Sequence, residues 1–452
     1  MGAGTARGGA CLLISGNVRK NMEFVVFAGV LLLLFIFMIV QELIQTKNQE
    51  KLFKKYLREN YGKEPPKEYS LERFARLGSY LERHKEEKQL DDITWNDLGM
   101  DEVFRRIDRT YSAAGEEYLY YTLRNISCGR EAMEHLEEVV NWLQEQEDIK
   151  VRIQLLMKRL GHLGKYSLYD YLDNLDYLGE RSNRKIVLGN LLYLPFLLLL
   201  FVQPAMGTIG IVLCMLWHIM TYFREKKVIE PYIISFAYVL RLIDVCEELE
   251  KQKIPVYRRE LDELREVLKS LRELRRGSYW VMAGNQGKIG GNPLDILADY
   301  LRMILHLDIF QFNRMLEKLR KKTGQVETML AITGYLDMAI SVGGFRKSLE
   351  GYCIPKLEED TEKAFLHMKK GWHPLLSQPV KNSIRADRGI LLTGSNASGK
   401  STFLKMVAVN AVLAQTIHTC AAESYHAPIF QIFSCGTAWK TGRAIILWRS
   451  GH

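Results

Sequence analysis

The segment Gly394-Ser395-Asn396-Ala397-Ser398-Gly399-Lys400-Ser401-Thr402 has the spacing G-x-x-x-x-G-K-S-T, and its flanks decide how it is read. Ile390-Leu391-Leu392-Thr393 before it is a short apolar run of strand type. Thr402-Phe403-Leu404-Lys405-Met406-Val407 continues as a helix, so a strand, a loop and a helix are predicted in that order. Gly394 and Gly399 let the backbone curl until successive N–H groups face phosphate oxygens, and the helix starting near Lys400 adds its positive end. The expected site is therefore Gly394 to Thr402 holding ATP, with Lys400 on the β- and γ-phosphates and the Ser401 hydroxyl on Mg²⁺.

Hydrolysis needs one thing more, an acidic residue at the end of a later strand. From Ser424 to His452 there is no Asp or Glu, and the late apolar run Ala444-Ile445-Ile446-Leu447-Trp448 is followed by Arg449 and Ser450. The expectation is ATP binding by this chain, with ATPase activity reserved for an intact form and no catalytic residue assigned.

Working outward, two stretches are too apolar for a soluble domain. Phe24 to Val40 is seventeen residues without charge, with Arg19 and Lys20 before it and Lys47, Lys51, Lys54 and Lys55 after it. It reads as an uncleaved anchor, because no small-x-small cleavage site follows; a secretory signal is the rival reading. Ile186 to Phe223 holds no Asp, Glu, Lys or Arg and breaks at Gln203-Pro204-Ala205-Met206-Gly207. Two helices and a turn fit, with Arg181, Arg184 and Lys185 at one end and Arg224, Lys226 and Lys227 at the other, so a hairpin sets both basic clusters on the cytoplasmic side. A hairpin buried in a large soluble core is the alternative. With three transmembrane helices, the chain is expected to be a multi-pass protein of the cell membrane whose ATP-binding portion is cytoplasmic.

The rest is helical in pattern. Between Tyr257 and Arg276 apolar residues fall at Leu261, Leu264, Val267, Leu268, Leu271 and Leu274, an amphipathic spacing opened by Pro255. The Gly284 to Pro293 stretch reads as a connector, and periodicity resumes from Leu294 to Leu319. A net charge of +9 fits an anionic partner, a bilayer face or DNA, and Arg258, Arg259, Arg272, Arg275 and Arg276 could meet phosphates; an ordinary solvated helix face is the other reading. Seven cysteines without C-x-x-C spacing argue against zinc and against a disulfide framework, and a reducing compartment is the natural reading.

Three further strings complete the pattern. They are Arg109-Thr110-Tyr111-Ser112-Ala113-Ala114-Gly115, Tyr335-Leu336-Asp337-Met338-Ala339 with Gly351-Tyr352-Cys353-Ile354-Pro355, and Gly371-Trp372-His373-Pro374-Leu375-Leu376 with Val380-Lys381-Asn382-Ser383-Ile384. Together with the phosphate loop and its Asn396, they resemble the MutS family of DNA mismatch-repair and related proteins over roughly residues 90 to 430. The resemblance implies a helical core and lever feeding a dimeric ATPase of the ABC type that acts on DNA. No counterpart of the family's mismatch-reading domain stands before residue 90, which puts mismatch recognition in doubt. The family's acidic motif, signature segment and dimerising end are also missing, and residues from about Cys435 onward leave the family pattern, so a truncation or frame slip is expected.

The expected fold is mainly α, a helical core and lever with three transmembrane helices, followed by the N-terminal part of an α/β P-loop ATPase domain. The expected divisions are a leader and anchor (1–45), a basic helical linker (46–89), the first part of the core (90–185), the membrane hairpin (186–223), the core and lever (224–355) and the ATPase portion (356–452). Expected partners are ATP, DNA, the lipid bilayer and, in an intact form, a second copy. Two other classes stay open. One is the ATP-binding part of a membrane transport or signalling assembly, and the other is a non-hydrolysing interaction protein.

Overall fold

The computed structural model describes residues 37–38, 40–41, 44–64, 69–86, 89–126, 129–163, 167–272, 300–359, 365–388, 390, 392, 399–430, 432–438 and 443–449, with backbone alone at 71, 72, 75 and 432–449. The chain divides into two units, 1–60 and 61–452. In the first, residues 44–60 form a largely exposed helix, and the anchor expected at Phe24 to Val40 lies, but for Phe37, Met38 and Val40, outside the described residues.

The second unit is mainly helical with a small mixed sheet. Its helices are α1 (Leu71–Arg83), α2 (Asp92–Leu98), α3 (Met100–Ile107), α4 (Ala113–Arg124), α5 (Arg130–Glu145), α6 (Glu147–Leu160) and α7 (Leu168–Asp173). They continue as α8 (Arg184–Leu191), α9 (Tyr193–Val202), α10 (Pro204–Glu250), α11 (Arg258–Leu271), α12 (Leu307–Arg320), α13 (Thr323–Ser348) and α14 (Lys400–Ile417). Starts are fixed locally: the side chains of Asp91, Ser112 and Ser167 accept from the N–H groups of Thr94, Gly115 and Tyr169. Each cap satisfies a donor that the first helical turn leaves open.

α13 is the axis of this unit. It is apolar on all sides, as a helix enclosed by others must be, and it packs on α4, α5, α10 and α11. Although long and apolar enough to cross a membrane, it lies inside the core, with Val326, Met329, Leu336, Val342 and Phe345 all inaccessible. Its hydroxyls bond within the chain, Thr333 Oγ1 donating to the Met329 carbonyl at 2.7 Å.

α8 and α9 fold back on the first part of α10 as the uncharged stretch predicts, with the break at Gln203. Glycine permits this closeness: a Cβ on Gly207 would lie 2.6 Å from the Leu200 backbone, and one on Gly210 2.0 Å from the Phe196 ring. The outer faces are left bare, Phe201 at 89% and Met220 at 74% exposure, so the hairpin is not buried in a soluble core. Asn190 Nδ2 donates to the Leu305 carbonyl at 3.1 Å, and Arg181 pairs with Glu225 at 3.2 Å, which sets the two basic ends side by side. α10 does not stop where the hairpin was expected to end at Phe223; it runs on through Pro231 to Glu250, burying Ile229, Phe236, Leu242 and Leu249.

The sheet has the order β1 (Lys356–Glu358), β4 (Ser424–Pro428), β2 (Leu366–Gly371), β3 (Asn382–Ala386). β1 runs parallel to β4 and the other two pairings are antiparallel, in register at Lys356↔His426, His367↔His426 and Met368↔Ile384. β5 (Ile432–Ala438) and β6 (Arg443–Arg449) form a separate antiparallel hairpin that includes the late apolar run. The strand expected at Ile390 to Thr393 is not found at its two described residues: Ile390 and Leu392 lie in no strand and are 56% and 38% exposed. A strand exists only where a neighbour pairs with it, and no described strand runs beside these residues.

Candidate functional site

Of the nine expected nucleotide-binding residues, Gly394, Ser395, Asn396, Ala397 and Ser398 lie outside the described residues. Gly399, Lys400, Ser401 and Thr402 are described. Gly399 takes φ +82°, in the left-handed region, and its carbonyl accepts from Phe403 N at 2.9 Å as α14 begins at Lys400. A Cβ there would meet no atom within 4 Å, so backbone conformation and not space calls for glycine. The first turn of α14 contains no acidic residue, and Ser401 and Thr402 are exposed beside a half-buried Lys400. The helix start thus presents its positive dipole end and a hydroxyl without a carboxylate of its own turn to repel an anion.

Beyond its first two turns α14 is sealed on every side, from Met406 to Ile417. Three polar side chains hold it. Asn410 Nδ2 donates to the Trp372 carbonyl at 3.0 Å while its Oδ1 accepts from Ala421 N at 2.7 Å, tying the helix to the segment after β2 and the one before β4. Gln415 Nε2 donates to the carbonyls of Ile126 at 2.9 Å and Phe430 at 2.8 Å, and its Oε1 accepts from Phe430 N at 2.8 Å. Arg346, from the last turn of α13, donates to the His418 carbonyl at 3.0 Å and to Thr419 Oγ1 at 2.9 Å. It places a cation where the α14 dipole is negative.

Arg346 is balanced by Glu137 of α5 through two contacts at 2.8 and 3.1 Å. Burial raises the Glu137 carboxyl, but the His418 ring at 3.4 Å and the Arg346 guanidinium outweigh it and hold the group at about 2. None of Arg346, Asn410 and Gln415 was picked out by the sequence patterns. Their only signal was a polar residue inside an apolar helical run.

The other strings come together at α13. Asp337 accepts from Tyr111 N at 3.0 Å, Ser112 N at 2.9 Å and Ser112 Oγ at 2.6 Å, across 225 residues of sequence in the last two cases. A Cβ on Gly115 would lie 2.4 Å from Asp337 Oδ2, and one on Gly334 2.6 Å from the Ala114 carbonyl, so glycine on both helices lets α4 and α13 touch. Ser341 Oγ donates to the Ile107 carbonyl and accepts from Arg109 N, each at 2.8 Å. The Thr110 to Gly115 string therefore forms the seam between α4 and α13.

Trp372, Pro374 and Leu375 line a cleft of about 200 Å³ with Glu64, Arg106 and Ser348, and Lys381 Nζ sits 4.7 Å over the Trp372 ring. Burial and the nearby Lys405 lower the His373 imidazole, which stays neutral and accepts from Leu375 N at 3.3 Å. Of the basic residues on α11 and after it, Arg258 is paired with Asp262 at 3.8 Å, Arg259 and Arg272 are exposed, and Arg275 and Arg276 lie outside the described residues. Among the described residues no group of three or more His, Cys, Asp or Glu could hold a metal ion.

No protein-family model matches the chain. Part of it is similar to the DNA mismatch repair protein MutS of Acholeplasma laidlawii, 32% identical over 124 residues that make up 26% of this chain and 14% of that protein. It is likewise 32% identical to MutS of Listeria monocytogenes over 129 residues, covering 26% of this chain and 14% of that protein. MutS protein homolog 4 of Homo sapiens is 28% identical over 123 residues, 25% of this chain and 12% of that protein. The chain thus spans about one seventh of the length of the first two relatives. This distant and partial similarity supports a relation to the MutS family.

Proposed function

We propose that the chain is a membrane-anchored, MutS-like ATP-binding protein that acts on DNA. The observation that carries the nucleotide half is local: the second glycine of a G-x-x-x-x-G-K-S-T string is left-handed and opens directly into a helix clamped to the helical core. In this reading the amides of Gly394 to Gly399 cradle the phosphates, Lys400 neutralises them, and Ser401 ligates Mg²⁺. Arg346, Asn410 and Gln415 make α14 the rigid link by which an occupied loop is felt at α13.

The partial likeness to mismatch-repair proteins supports DNA as the second ligand, with the net charge of +9 in favour. The bare apolar hairpin supports a lipid bilayer around residues 186–223, with the ATP-binding portion on the cytoplasmic side. A second copy of an intact form is proposed to close over the nucleotide.

The test is titration of Mg-ATP into the detergent-solubilised chain, beside duplex DNA titrated at rising salt. Lys400→Ala is expected to weaken ATP binding at least tenfold, and DNA binding is expected to fall linearly on a log–log salt plot. Equal ATP binding by both proteins overturns the nucleotide reading. Absence of DNA binding at low salt overturns the other.

A further inference from the structure

We propose that Cys353 and Cys420 form a reversible disulfide, driven by hydroperoxide, that fastens the phosphate-loop helix to the core helix. This needs neither the nucleotide nor the DNA reading to be right.

The two residues face each other across an isolated antiparallel bridge in which each N–H donates to the other's carbonyl at 3.0 Å. Such a hydrogen-bonded pair sets its Cα atoms about 5.5 Å apart, inside the window of about 4.4 to 6.8 Å that a disulfide accepts. Both thiols are unbridged, and their backbone pairing sets them side by side.

Their surroundings divide the labour. Cys353 is partly exposed between Tyr352 and Ile354, whereas Cys420 is sealed, its thiol within 3.5 Å of the Asn410 carbonyl. A hydrogen bond from Cys420 lowers the Cys353 thiol, while burial pushes Cys420 well up. Cys353 is then the thiolate that meets the oxidant and Cys420 the thiol that resolves it.

The Cys353 sulfur attacks one peroxide oxygen, the O–O bond breaks, and hydroxide leaves to take up a proton as water; Cys353 becomes a sulfenic acid. The Cys420 sulfur then attacks the Cys353 sulfur, the S–O bond breaks, and the departing hydroxyl takes the Cys420 proton as a second water. Two thiols lose two electrons and one hydrogen peroxide gains them. A dithiol reductant reverses the change, so in a reducing compartment the bridge stays open until oxidant arrives.

The position gives the bond its effect. Cys353 follows α13 and Cys420 follows α14, at the joint where Arg346 already grips the end of α14. A disulfide there adds a covalent link beside that hydrogen-bonded clamp and closes a loop of chain that includes the segment 394–402.

The experiment treats the full chain in detergent with hydrogen peroxide, alkylates the remaining thiols after unfolding, and maps peptides by mass spectrometry. The expected result is a cross-linked peptide joining Cys353 to Cys420, two hydrogens lighter than its parts, removed by dithiothreitol and absent from Cys353→Ser. In Cys420→Ala, Cys353 is expected to stop as a sulfenic acid trapped by dimedone. Full alkylation of both cysteines in the peroxide-treated wild-type chain overturns the proposal, as does a cross-link from Cys353 to any other cysteine. If Cys420→Ala fails to fold, the wild-type map alone decides.

Discussion

At position 117 a carboxyl is shut away from water. Glu117 is 3% exposed, and burial raises it to about 8 even though Ser167 Oγ donates to it at 2.9 Å and Arg76 pulls the other way. Its neighbour Glu116 is equally buried but meets Arg73 at 2.5 Å and Arg76 at 2.7 Å. Nothing in the spacing of Glu116-Glu117 tells them apart, because the arginines that decide arrive from α1, some forty positions upstream. A folded value above the ordinary 4.5 means the fold favours the protonated form. The contribution is then whole below pH 4.5 and lost as pH rises through about 8. Glu117→Gln accepts the same hydrogen bond and never ionises, so between pH 5 and 8 wild-type stability in urea is expected to fall relative to the variant. Parallel curves would refute this.

Among elements, the contact of α4 with α13 is the most demanding. Asp337→Ala leaves the N–H groups of Tyr111 and Ser112 buried without their acceptor, and is expected to cost about 3 kcal/mol. Gly334→Val drives a branched side chain into the Ala114 carbonyl and is expected to cost about 1 to 3 kcal/mol. Chemical denaturation checks both, and a midpoint unchanged by either would remove the seam from the account. The strings that make this contact stood out in the sequence, yet that they touch was not legible, since spacing carries no distance across 225 residues. The helix after the G-x-x-x-x-G-K-S-T string was legible from its apolar flank. The strand expected before it is not found at Ile390 and Leu392, because a short apolar run becomes a strand only through neighbours that the local sequence does not contain. α13 shows the reverse limit: its composition matches a membrane span, and only its enclosure by other helices shows it to be core.

For the whole molecule, the hairpin of α8, α9 and the first half of α10 was the most legible feature, because an uncharged stretch of that length leaves few alternatives. If it lies in a bilayer as proposed, Ala205→Cys at its turn is expected to react with an impermeant thiol reagent added to intact cells, while Gln252→Cys reacts only after lysis. Labelling of both only after lysis would place the turn on the inner side and sink the topology. α10 has a mechanical consequence. At about 1.5 Å per residue, its 47 residues make a beam of about 70 Å, its first part bare apolar hairpin and its second part core. If its outer half lies in a bilayer as proposed, the beam is continuous across the water boundary and has no swivel there, save for the backbone bond forgone at Pro231. Bilayer thickness and curvature, by setting the inclination of its outer half, would then load the helices packed around its inner half.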